Sequence, residues 1–208
     1  MNKNGLFIKE KLQGHFKENA ISYYISGFVV LIGIIIGVYL VFTGYSYTSL
    51  LSASDKNIIE YIKGTASYSD IFYFRMMNIC VSFVILIIFN LSVYTSFLGY
   101  IYLGYQVVLT TLMCSALITL YGLAGVLNVC LFTIPINLIY IFIMVFVIAI
   151  SVGRARYQKK YRVGFWDSFK ESEYFKFLIL AIVFAFLLCV VFCFVFPLFL
   201  KSFVMINY

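Results

Sequence analysis

Groups that could hold a proton, a metal ion or a polar solute are few in this chain, and most lie outside its apolar stretches. The one histidine, His15, sits in an amino-terminal tail among lysines. The five thiols are Cys80, Cys114, Cys130, Cys189 and Cys193, of which the last two stand four residues apart and share a helix face. Two thiolates make a poor metal site, since zinc takes four protein ligands in a closed site. The cysteines read as small apolar packing residues. No Gly-x-Ser motif comes with a partnering histidine, and no pair of acids falls within an apolar stretch. Proton or charge movement across a bilayer needs an ionisable group at depth. Arg75 is the one candidate, and it stands beside Tyr73 and Phe74 where a snorkelling interfacial anchor would stand. No catalytic residue, cofactor or metal is expected, and the chain is read as a non-enzyme.

Uncharged polar groups carry more information. Asn78, Asn90, Gln106, Asn128 and Asn137 lie in or at the ends of apolar runs. An amide facing lipid is costly, so each should face another helix, the backbone or a watery path. Interhelical glue and a polar route for a neutral solute are both compatible with the pattern. Pro135 with Asn137 predicts a kink, because proline removes one helix hydrogen bond and frees a carbonyl that the amide could serve. Gly33 and Gly37 form a small-xxx-small face that admits a second helix, from this chain or from another copy in a homo-oligomer. Arg154, Arg156, Lys159, Lys160 and Arg162 form a basic patch followed by Phe165 and Trp166. Such a patch attracts anionic membrane lipids at about 1 kcal/mol per cation. It also marks a cytoplasmic side, and could dock a cytoplasmic partner.

These residues are positioned by apolar segments. Hydrophobic residues are 64% of the 208 and charged residues 11%, against roughly 25% in a globular protein. Met76 to Gly153, 78 residues, contains no charge at all. The composition excludes a soluble domain, a nucleic-acid module and a disulfide scaffold. Helices are favoured over a barrel because the runs are continuously apolar rather than alternating. Ile21 to Gly44 and Phe177 to Leu200 are each uncharged and 24 residues long, enough at 1.5 Å per residue to cross a hydrocarbon core of about 30 Å. The first is longer than a cleaved signal's apolar core, so a retained span is expected. The long central stretch has weak points at Ser96–Gly99 and Tyr121–Gly125.

Charge parity fixes the count. The tail before residue 21 and the segment 154–176 together carry eleven of the fifteen Lys and Arg. The positive-inside rule assigns both to the cytoplasm, which requires an even number of crossings between them. The expected fold is therefore all-α, a single polytopic domain with spans near 21–44, 74–95, 98–120, 126–152 and 177–200. Its amino terminus is cytoplasmic and its carboxyl terminus external. Residues 45–71 form an external segment in which Ile58, Ile59 and Ile62 suit a short amphipathic surface helix.

The order of these landmarks resembles the stage II sporulation protein M family over most of the chain. A basic tail leads into Gly33-Ile-Ile-Ile-Gly37-Val-Tyr-Leu, similar to that family's first helix. Phe74-Arg-Met-Met-Asn78 resembles the start of its second span, and Tyr102-Leu-Gly104-Tyr matches an apolar-Gly stretch. Ile134-Pro135-Ile-Asn137-Leu resembles its Leu-Pro-x-Asn-Leu signature, and Phe196-Pro197-Leu its terminal Ser-Pro-Leu. The chain departs from the family at Asn90–Gly99, which lacks a proline, and in the last span, which lacks an acidic residue. The resemblance implies a non-catalytic scaffold in a bacterial cytoplasmic membrane. Its implied partners are wall hydrolases resembling stage II sporulation proteins D and P, working during engulfment. The alternative from the residues alone is a channel or permease subunit for a neutral or small solute.

Overall fold

The computed structural model describes residues 14–43, 68–89, 92, 94–164, 166–168 and 174–205. Among these, every regular element is helical: α1 (Ala20–Phe42), α2 (Tyr68–Phe89), α3 (Ser96–Asn128), a π-helical turn (Val129–Thr133), α4 (Ile134–Tyr161) and α5 (Tyr174–Met205). Continuous apolar sequence allows this outcome in lipid, because a helix pairs its backbone groups within one segment. Three stretches are long and apolar enough to cross a membrane: Ala20–Phe42, Ser96–Thr119 and Asn137–Tyr161. Met76–Phe89 and Tyr174–Leu188 are shorter apolar stretches of α2 and α5. The expected external segment 45–71 falls mostly on residues outside those described, and the Arg75 side chain lies outside them as well.

Helices α3 and α4 each touch all the other helices, and α4 carries much of the core. Met144, Val147 and Ile148 on it are fully buried and pack with Leu86 of α2 and Leu103 of α3 into one apolar core. Helix α1 lies at the edge and is built the other way round from a soluble amphipathic helix. Its buried residues are Ser22, Ser26, Gly33 and Gly37, while Leu31, Ile35 and Tyr39 are 60–66% exposed. Large aliphatic side chains facing outward in such number fit lipid, not water.

Small residues face inward on α1 because they let backbones approach. A Cβ added at Gly33 would stand 3.0 Å from the Gly104 carbonyl oxygen and 3.0 Å from Val107 Cβ. One added at Gly37 would stand 2.6 Å from Thr111 Cβ, closer than carbon atoms tolerate. The partner of the Gly33–Gly37 face is thus α3 of the same chain, and Gly104 joins it against Val29.

The break expected within Tyr121–Gly125 falls at Gly122, whose φ of +55° and ψ of −127° suit glycine alone. Beyond it the chain stays helical from residue 123 onward. It runs through the π turn and begins α4 at Ile134, with Pro135 in the first turn. Proline has no N–H to give the carbonyl four residues back, so the wider π turn replaces the α pattern before it. The proline therefore lies directly after a π-helical interruption within a helical run that continues from residue 123 to residue 161.

Replacing Gly37 by Val should lower unfolding stability in detergent by about 1–3 kcal/mol, the usual cost of overpacking. Gly27→Val, at a position with nothing within 4 Å, should be close to neutral. Thr111→Gly should recover much of the Gly37→Val loss. Equal effects at Gly27 and Gly37 in a chemical-unfolding titration would remove the close approach as the cause.

Candidate functional site

The polar side chains fall into three groups. In the first, Gln106 Nε2 donates to Tyr102 Oη at 2.8 Å, and Tyr102 Oη lies 2.8 Å from Ser82 Oγ, joining α3 to α2. In the second, Asn137 is buried and donates from Nδ2 to the Thr133 carbonyl at 2.9 Å. The amide thus serves a backbone carbonyl next to Pro135. Asn78, on α2, is half-buried and makes no hydrogen bond to Asn137.

The third group surrounds a cavity of about 540 Å³ at the carboxyl-terminal end of α4. One wall is a single face of that helix. Ile150, Gly153, Arg154, Tyr157, Lys160 and Tyr161 line it, with Arg156 at its flank. Their spacing of three and four residues is the helical repeat. His15, Glu18 and Asn19, just before α1, form the opposite wall, and Phe177 of α5 closes a side.

Asn19 holds this wall in place. Its Nδ2 donates to His15 Nδ1 at 3.2 Å and to the His15 carbonyl at 3.1 Å. Its Oδ1 lies where a Cβ on Gly153 would come within 2.7 Å, so glycine at 153 is what lets the amide sit against α4. The accepting role of Nδ1 puts the neutral imidazole's proton on Nε2. That nitrogen is buried and has no hydrogen-bond partner among the described residues. The ring packs against Phe146 and Phe177 at centroid distances of 5.6 and 5.3 Å.

The basic patch divides in the structure. Arg154 is 1% exposed and turned inward: Nη1 donates to Ser168 Oγ at 3.1 Å, and the guanidinium lies 5.7 Å from the centre of the Tyr174 ring. Tyr174 Oη is in turn 3.3 Å from Ser151 Oγ. Arg154 thus ties α4 to the turn at 166–168 and to the start of α5. Lys159, Lys160 and Arg162 are exposed, and Lys159 Nζ lies 5.3 Å from the Tyr94 ring centre. Arg162 ends α4 in the left-handed region, with φ of +53°.

Sequence reasoning gave no role to His15, Asn19 or Gly153. The available signal was the 150, 153, 154, 157, 160 spacing, which puts a glycine and two cations on one face. No family model matches the chain, and neither a curated protein nor a solved structure matches it.

Burial holds the His15 imidazole below its ordinary value, with Glu18 pulling the other way. A histidine kept neutral by the fold contributes stability that is complete above the unfolded value of about 6.5. That contribution is lost as pH falls below 6.5, and the loss levels off under the lowered folded value. The melting temperature in detergent should therefore drop between pH 7.5 and 5.5, and His15→Gln should flatten the drop. The charged side chains that line the same cavity are Glu18, Arg154, Arg156 and Lys160. A variant that keeps the full pH dependence would assign it elsewhere.

Proposed function

We propose that this is a five-span protein of a bacterial cytoplasmic membrane, with the amino terminus inside and the carboxyl terminus outside, that acts as a non-catalytic scaffold for wall-remodelling partners. Helices α1 to α5 would be the spans, consistent with three membrane-length apolar stretches and two shorter ones. The observation that carries the scaffold reading is the filling of the bundle's middle. Leu86, Leu103, Met144, Val147 and Ile148 occupy the space between helices, where a solute route would need polar groups and room.

The amides that could have lined such a route support the same reading. Gln106 is spent on Tyr102 and Asn137 on the Thr133 carbonyl, which makes them interhelical or local glue. The partner class comes from the order of motifs that resembles the stage II sporulation protein M family. Secreted wall hydrolases would meet the protein at its external segment and at the outer ends of its spans.

The orientation is tested by fusing reporters after Arg162 and after Tyr208. A fluorescent protein active only in the cytoplasm should report at the first site, and alkaline phosphatase, active only outside, at the second. The scaffold role is tested by cross-linking in native membranes, with recovery of a wall hydrolase expected. Liposomes carrying the purified protein should be no leakier to small neutral solutes than empty ones. Measurable solute flux, together with failure to recover any wall hydrolase, would favour the channel or permease reading instead.

A further inference from the structure

Helix α4 is longer than a membrane is thick. Its 28 residues extend about 42 Å, against a hydrocarbon core of about 30 Å. If its apolar start lies in the core, the first twenty or so residues use up that thickness, and the turns after Gly153 emerge into the headgroup layer. The cavity sits at this level. Its deeper wall is apolar, with Ile150 and Phe177, and its outer wall carries Arg156 and Lys160 about two to three helical turns further on.

Among the described lining residues, positive charge is in excess. Arg154 is engaged with Ser168 and the Tyr174 ring, and Arg156 and Lys160, with Glu18 as the one carboxylate among those residues, form no ion pair with described residues. The ring of His15 belongs to the cavity wall, with its Nε2 buried and unpartnered among the described residues. Cations beside an apolar floor suit a ligand with an anionic oxygen-rich head and a greasy tail. Basic pockets between membrane helices on the cytoplasmic side bind phospholipid heads in this way.

We propose that the cavity between His15–Asn19, the end of α4 and Phe177 is a binding site for the phosphate headgroup of one anionic phospholipid. The site is distinct from diffuse attraction of the basic segment to a charged membrane, because it depends on which cations are removed and not on how many. Lys159 and Arg162, close by in sequence, are not among the cavity's lining. The proposal does not need the scaffold role to hold, and the orientation only decides which leaflet supplies the lipid.

The test uses the full-length protein in a neutral detergent, with short-chain phosphatidylglycerol, short-chain phosphatidylcholine and inorganic phosphate as probes. Binding is read by native mass spectrometry and by thermal shift. Phosphatidylglycerol should bind and raise the melting temperature; phosphatidylcholine and inorganic phosphate should do so far less. The pair Arg156→Gln with Lys160→Gln should weaken phosphatidylglycerol binding by about tenfold or more, since each cation near a lipid head is worth about one factor of five. The charge-matched pair Lys159→Gln with Arg162→Gln should leave it near the wild-type value. Equal loss in both pairs would overturn the site in favour of diffuse attraction. Inorganic phosphate binding as tightly as the lipid would overturn the lipid and leave a free-phosphate site. In the unsubstituted protein, a photoactivatable phosphatidylglycerol with its reactive group near the head should label residues 15–19 or 150–161; labelling confined to other segments would refute the placement.

Discussion

In lipid, an aliphatic side chain gains little by moving from acyl chains to another helix, so helices need a reason other than hydrophobicity to associate. Here that reason is the contact of α1 with α3. Gly33 and Gly37 remove side chains where Gly104, Val107 and Thr111 come up against the α1 backbone. The contact gains dispersion over a long, closely fitted strip, and each gain is small but repeated. It leaves Leu31, Ile35 and Tyr39 for the surroundings. The edge helix is thereby attached through its smallest residues, and the residues just before it that wall the cavity continue from that attachment.

The same shortage of water governs the polar groups. Two amides at depth meet a partner close at hand: Gln106 meets Tyr102 and Asn137 meets the Thr133 carbonyl. Arg154 obeys the rule with a charge. It is buried, yet Ser168 and the Tyr174 ring receive it, and Ser151 receives the Tyr174 hydroxyl. Removing a guanidinium's partners would leave a buried charge unmatched, which costs several kcal/mol. The turn at 166–168 and the start of α5 are therefore held to α4 by polar contacts, where α1 is held to α3 by the absence of side chains.

How much of this could be read in the sequence depended on the range of the physics involved. Apolar runs announce helices because the requirement acts on every residue of the run. Gly33 and Gly37 announce a close contact because two glycines at helical spacing have little other use in a span. Gly122 was readable as a break for the same local reason. The π-helical stretch at 129–133 was not, since it depends on how the helix recovers from two disturbances, Gly122 and Pro135, on either side of it. His15 and Asn19 were unreadable because their meaning comes from Gly153, more than a hundred residues away, and no local pattern marks that pair. Arg154 looked like its neighbours in the basic run; only the helical repeat separates an inward residue from the outward Lys159 and Arg162.

That helical repeat also explains why one segment can carry two kinds of cation. Around the end of α4, positions 150, 153, 154, 157 and 160 turn toward His15 and Asn19, while 159 turns away toward Tyr94. A run of positive charge selected only to mark the cytoplasmic side would have no need to place a glycine among the inward positions. Gly153 has a specific consequence, which is to admit the Asn19 side chain to the helix surface and so to orient His15. An amide spent on fixing a neutral imidazole, at the level where a 42 Å helix leaves a 30 Å core, gives the cavity wall beside the cations one fixed direction. Fixed direction adds little to sidedness, which charge alone supplies. It matters when a group with its own geometry, such as a tetrahedral phosphate, has to be held.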